Sequence, residues 1–156
     1  MTTAHASLAI DDVIGRTDAV LAAPETALSR DADALAEELL GAAEAVLMRW
    51  LIAHGQVPTD GAIEGFPLLA LHRQGARGDP SFNACRETCR EIVYHRNLIR
   101  LEAAEPERAR RVRLAAMVVR HLALFVGGKL ETAGLGEFCC SSRPLRQSEY
   151  SETRTV

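Results

Sequence analysis

The sequence predicts an all-α fold, a bundle of four to five helices with a flexible C-terminal tail. Three observations lead there. Hydrophobic residues make up 47% of the 156-residue chain, enough to bury the core of one domain. Aromatics are only 4%, and Ala and Leu dominate the apolar set, a mix that favours close-packed helices over a sheet built from β-branched and aromatic residues. Apolar positions recur at helical spacing in five segments, and no segment alternates convincingly as a strand.

The first predicted helix runs from about Leu8 to Ala23. It places Ile10, Val13, Ile14, Val20 and Leu21 near one face and stops at Pro24. The second is the clearest. Asp31 or Asp33 caps its start, and Leu35, Leu39, Ala42, Val46, Leu47, Trp50 and Ala53 form one stripe before Gly55 ends it. A short third helix begins at Pro67, with proline in its first turn, and ends at Gln74 before the loop Gly75-Ala-Arg-Gly-Asp. Asp79 caps the fourth, with Pro80 at its first position, and it continues to about Ala103. The fifth starts at Pro106 and runs to Gly127 or a little beyond. Residues 1–134 thus read as the bundle domain. Residues 135–156 read as a polar, mobile tail carrying Cys139 and Cys140.

The fifth helix is apolar around most of its circumference through Val112, Ala115, Val118, Val119, Leu122, Phe125 and Val126, with a narrow polar line at Arg113 and Arg120. Such a helix is either central in its bundle or half of an interface. With so few helices to surround it, a homodimer or another protein partner is expected, anchored by Val118, Leu122 and Phe125.

Formal charge is −3, unevenly spread: residues 1–78 hold 11 acids and 5 bases, residues 79–156 hold 10 and 13. Neither half approaches the basic excess of a nucleic-acid binder. The bases are 17 arginines and Lys129, a bias that GC-rich coding explains without function. Arg108, Arg110, Arg111 and Arg113 cluster at the start of the fifth helix, yet Glu105 and Glu107 sit beside them. Arg86 and Arg90 likewise alternate with Glu87 and Glu91, as on a solvated face. The opening residues lack a positive n-region, Asp11 and Asp12 interrupt the first apolar run, and Leu114–Gly128 is too short to span a bilayer. A soluble cytoplasmic protein with no membrane association is the expectation.

Four cysteines are the only side chains the sequence marks as a chemical site. Cys85 and Cys89 share the apolar face of the fourth helix with Phe82, Ile92 and Ile99, and Cys139-Cys140 lies in the tail. Thiols at that spacing can share zinc or another thiophilic metal, or exchange with the tail pair in a redox role. Free cysteines also serve as small buried hydrophobes, and that reading takes precedence. No Cys-x2-Cys knuckle is present. Arg96 falls on the same face and is expected to snorkel past the helix edge or to meet a buried carboxylate, with anion binding or the lowering of a cysteine pKa as the functional alternative. His54 suits a helix C-terminus, His121 suits the core, His95 lies at the flank of the cysteine stripe, and His72 approaches it only if the intervening loop folds back. A ligand pocket around Trp50, Arg96 and His121 is a further alternative. No nucleophile elbow, phosphate loop, dinucleotide fingerprint or His-Glu-x2-His motif occurs, so no catalytic residues are assigned. The leading function is therefore a small non-enzymatic adaptor, regulator or assembly factor. The alternative is a thiolate metal-binding or redox-sensing protein using Cys85, Cys89, Cys139 and Cys140.

Overall fold

The computed structural model describes residues 9–102 and 104–134. Among them it forms six α-helices: α1 (Ile10–Ala22), α2 (Glu25–Arg30), α3 (Ala32–Ala53), α4 (Pro67–Gly78), α5 (Arg86–Leu101) and α6 (Glu105–Thr132). A 3-10 turn, Pro80–Cys85, joins α4 to α5. No strand is present among the described residues, only an isolated bridge between Ile63 and Phe66. The expected tail with Cys139 and Cys140 lies outside the described residues.

Local chemistry sets most boundaries. Proline, which cannot continue a helix, separates α1 from α2 at Pro24. The expected side-chain cap on α3 is not made. Asp31 precedes the helix, but its carboxylate turns to Arg30 and makes no capping bond. Gly55 leaves α3 in the left-handed region at φ 76°, where a residue without Cβ is unstrained. Pro67 opens α4 as expected. That helix runs through Gly75 to Gly78, so the predicted loop there is helical. Asp79 does cap the next element, accepting from the Ser81 backbone N–H at 3.1 Å. The capped element is the tight 3-10 turn, and the α-helix starts only at Arg86.

α6 is 28 residues long, about 42 Å, and it is the axis of the bundle. α1, α2, α3 and α5 all pack against it. Much of its apolar circumference is thereby covered within one chain. Ala109, Ala116 and Ala123 on α6 and Ala32, Ala43 and Ala45 on α3 are fully buried, which lets helices approach closely. The arginines opening α6 act as ties. Arg108 donates to the carbonyls of Glu102 (2.8 Å) and Ser29 (3.4 Å) and pairs with Asp33, while Arg111 meets Glu102.

α4 and the 3-10 turn sit at the side of this bundle, against α3 and the start of α5. Phe82 is the key of that corner. It is fully buried, stacks on Trp50 at 4.9 Å and His72 at 5.7 Å, and reaches Phe125 of α6 at 6.2 Å. Lys129 of α6 fixes the turn from outside, donating to Ser81 Oγ at 2.7 Å and pairing with Asp79 at 3.3 Å.

Candidate functional site

The 3-10 turn carries Cys85 inward beneath Phe82, and the first turn of α5 brings Cys89 to the same interior. Their exposures are 2% and 0%. Both are free thiols. His72, facing them from α4, is itself only 6% exposed. Two of these side chains converge on one backbone atom. The Phe82 carbonyl accepts from His72 Nε2–H at 3.0 Å and from the Cys85 thiol at 3.2 Å. A carbonyl can only accept, so this contact assigns the His72 proton to Nε2.

The same cluster shifts its own titrations. A hydrogen bond from Cys89 favours the charged form of Cys85 and, with help from His72, outweighs burial, so the Cys85 thiol lies below its ordinary value. That bond and burial together push Cys89 up. Burial pulls His72 down, but its bonds to Cys85 and the Phe82 carbonyl outweigh both that and the opposing charge of Arg86, and hold it above the ordinary value. The result is a polarised Cys–His pair under an aromatic lid. Among the described residues no group of three His, Cys, Asp or Glu side chains is placed to hold a metal ion. Cys139 and Cys140, the other two expected ligands, lie outside them.

Directly over His72 opens a cleft of about 330 Å³. Arg73 and Arg77 of α4 form one side, and Arg86 and Arg90 of α5 form another, with Asn83 of the 3-10 turn between. Leu69 and Ile63 supply apolar wall. A second cleft of about 390 Å³ adjoins it across Arg73 and Arg77 and is bounded by the loop after α3. Gln74 staples that loop to α4: its Oε1 accepts from Thr59 N–H at 2.8 Å and its Nε2 donates to the Val57 carbonyl at 2.9 Å. At the end of the loop, Glu64 and Gly65 occupy a two-residue turn at φ 55° and 85°, closed by reciprocal Ile63–Phe66 backbone bonds. That turn holds the Glu64 carboxylate 3.3 Å from Arg90. Among the described residues, the side chains of Arg73, Arg77 and Arg86 form no ion pair or hydrogen bond, and Glu64 is the sole acid paired with the four arginines.

The sequence conceals this cleft for two reasons. α4 is expected to stop at Gln74, which puts Arg77 on a loop, and Arg86 and Arg90 alternate with acids as a solvated face does. The signal available was the spacing: Arg73/Arg77 and Arg86/Arg90 are each four apart, so each pair shares a helix face. His72 needs no loop rearrangement, since α4 itself delivers it.

The other expected sites are dispersed. Leu122 is fully buried in the core of its own chain, and Val118 and Phe125 are half-buried against that core. The exposed apolar residues of α6 are instead Met117 (54%) and Leu124 (47%). Arg96 meets a carboxylate, but an exposed one and not the buried one expected: its Nε lies 2.9 Å from Glu37, and Arg100 shares the same oxygen at 3.1 Å. It therefore lies far along α3 from Trp50, which packs on Phe82, while His121 is exposed and not a core histidine. Those three side chains do not share a site. His54 caps α3 as expected, its Nδ1 2.9 Å from the Trp50 carbonyl. His95 sits beside the cysteine stripe, and burial holds it below its ordinary value. No helix among the described residues is long and apolar enough to cross a membrane. No family model, curated protein or solved structure matches the chain.

Proposed function

We propose that this is a non-enzymatic adaptor or regulator that works through protein contacts, and that its partner presents an acidic segment to the arginine face of α4 and α5. One observation carries the reading: four arginines and no acid line a single cleft, and the one carboxylate paired with any of the four is Glu64, on Arg90 beside it. Two like-charged pairs at i, i+4 each cost the fold about 0.2–0.5 kcal/mol. A bound anion offsets that cost. Guanidiniums stay charged at any physiological pH and do not exchange protons, which suits recognition over acid–base catalysis. His72 beneath them is buried, and its Nε2 is engaged on a backbone carbonyl.

The partner surface thus moves from the anchors expected on α6 to the cleft. Self-association through α6 would draw on Met117 and Leu124, not Leu122. The reduced thiols of Cys85 and Cys89 suit a cytoplasmic setting, which we propose as its compartment. The test is fluorescence anisotropy with a labelled Glu-rich peptide. Binding should saturate, weaken as salt screens the charges, and drop at least about tenfold in Arg73→Glu/Arg77→Glu. Equal binding by that variant, or none by the parent, would count against the reading.

A second reading, a thiolate metal or redox site, keeps one supporting observation: Cys85, Cys89 and His72 are buried, with Cys85 and His72 on one carbonyl, and Cys89 and then His72 draw Cys85 toward its thiolate. Elemental analysis of untagged protein, with thiol titration before and after unfolding, tests it. Bound metal with protected thiols supports it; four reactive thiols on unfolding and no metal would sink it.

A further inference from the structure

Charge and shape narrow which anion the cleft over His72 takes. Four arginines and no acid line the cleft of about 330 Å³, and counting the Glu64 carboxylate paired with Arg90 still leaves an excess of three positive charges. One partner carboxylate brings one negative charge and two oxygens. A phosphomonoester brings about −1.5 to −2 and three acceptor oxygens at neutral pH. Planar guanidinium forks on two helices, facing a common space from different directions, match a tetrahedral group with several acceptors better than a flat one.

The walls agree. Leu69 and Ile63 give the cleft an apolar side, and Asn83 adds a neutral hydrogen-bonding group to its lining. Glu64, beside the cleft, already shows an acceptor seated on Arg90. A turn with positive φ at both central residues holds its carboxylate on Arg90. That contact is solvent-exposed, with side-chain exposures of 41% and 60%, so an incoming dianion displaces it at little cost.

We propose that the cleft over His72 binds a phosphomonoester carried on a side chain of the partner segment, with Arg86 and Arg90 as the principal phosphate forks, Arg73 and Arg77 closing the opposite side, and Glu64 as an internal competitor. This rests on the acidic-segment reading.

The experiment compares three labelled peptides that differ at one central position flanked by acidic residues: phosphoserine, serine and aspartate. Binding of the whole 156-residue chain is read by anisotropy, with inorganic phosphate, anionic vesicles and single-stranded RNA as competitors. The expected result is at least about tenfold tighter binding of the phosphoserine peptide than of either other peptide. Arg86→Lys and Arg90→Lys, which keep charge but lose the fork, should remove most of that preference. Glu64→Gln should strengthen it, and inorganic phosphate should compete. Circular dichroism melts of these surface variants establish that they remain folded. If the three peptides bind alike, the phosphate inference fails while the acidic-segment reading stands. If none binds, both fail. Displacement by vesicles or RNA at concentrations where phosphate is ineffective would also overturn the inference, assigning the face to a different polyanion.

Discussion

Gly75 is the residue on which the α4 corner depends. A Cβ at this position would lie 2.8 Å from Cε2 and 2.9 Å from Cδ2 of Phe82, inside van der Waals contact with a ring held by Trp50 and His72. Gly75→Ala should therefore destabilise by about 1–3 kcal/mol, although alanine is the better helix former. A denaturant melt checks it, and unchanged or increased stability would refute the packing argument. Sequence reading treats this glycine as a helix stop because glycine ends helices more often than it makes room inside them. Only the ring of Phe82, in the next element, distinguishes the two roles. Glu44 is a second informative residue. Burial, and then the charge of Glu37, hold its carboxyl above the ordinary range. The folded state keeps a proton that the unfolded chain releases, so stability falls as pH rises from the ordinary glutamate value through the raised one. Glu44→Gln removes that penalty. Its melting temperature at pH 7 should rise by about 1–2 °C, allowing for solvent screening. Below about pH 4 the two proteins should melt alike, and no gain at neutral pH would exclude the penalty.

At the level of elements, helices with a strong stripe and a proline or glycine boundary were readable: α1, α3 and α6 lie within a few residues of their expected limits. α2 was missed because six residues are too few to show periodicity. The sequence after Asp79 predicts one helix, because Pro80 and the Phe82/Cys85/Cys89 spacing suit an α-helix and a 3-10 turn alike over so short a stretch. The difference is functional. The turn aims the Phe82 carbonyl at His72 and Cys85, and it sets Asn83 on the cleft side while Phe82 and Cys85 go inward. Half of the candidate site was therefore legible. The cysteines were found as residues. The arginine cleft was not, because it depends on how α4 and α5 meet, and charges that alternate with acids along one helix carry no signal of that meeting.

For the whole molecule, the sequence posed α6 as central or as half of an interface, and the bundle resolves much of its apolar surface internally. An apolar position in a sequence does not record whether its neighbour belongs to the same chain. The consequence is a change in what a substitution reports. Leu122→Glu places an unpaired charge in a fully buried site and should cost more than about 3 kcal/mol, lowering helicity and melting temperature together. Met117→Glu and Leu124→Glu, on the exposed side, should melt within about 0.5 kcal/mol of the parent. Circular dichroism separates the two classes, and a well-folded Leu122→Glu would contradict the central placement of α6.

The carbonyl of Phe82 gives the protein a built-in clock. Cys85 and Cys89 are closed off from solvent as long as that carbonyl holds His72 and the turn in place. A thiol-specific reagent can reach them only in the moments when this corner opens. Their alkylation rate then measures the opening free energy of the α4–turn unit alone, in the native state and without denaturant. An anion seated above His72 would be recorded as a slowing of that rate.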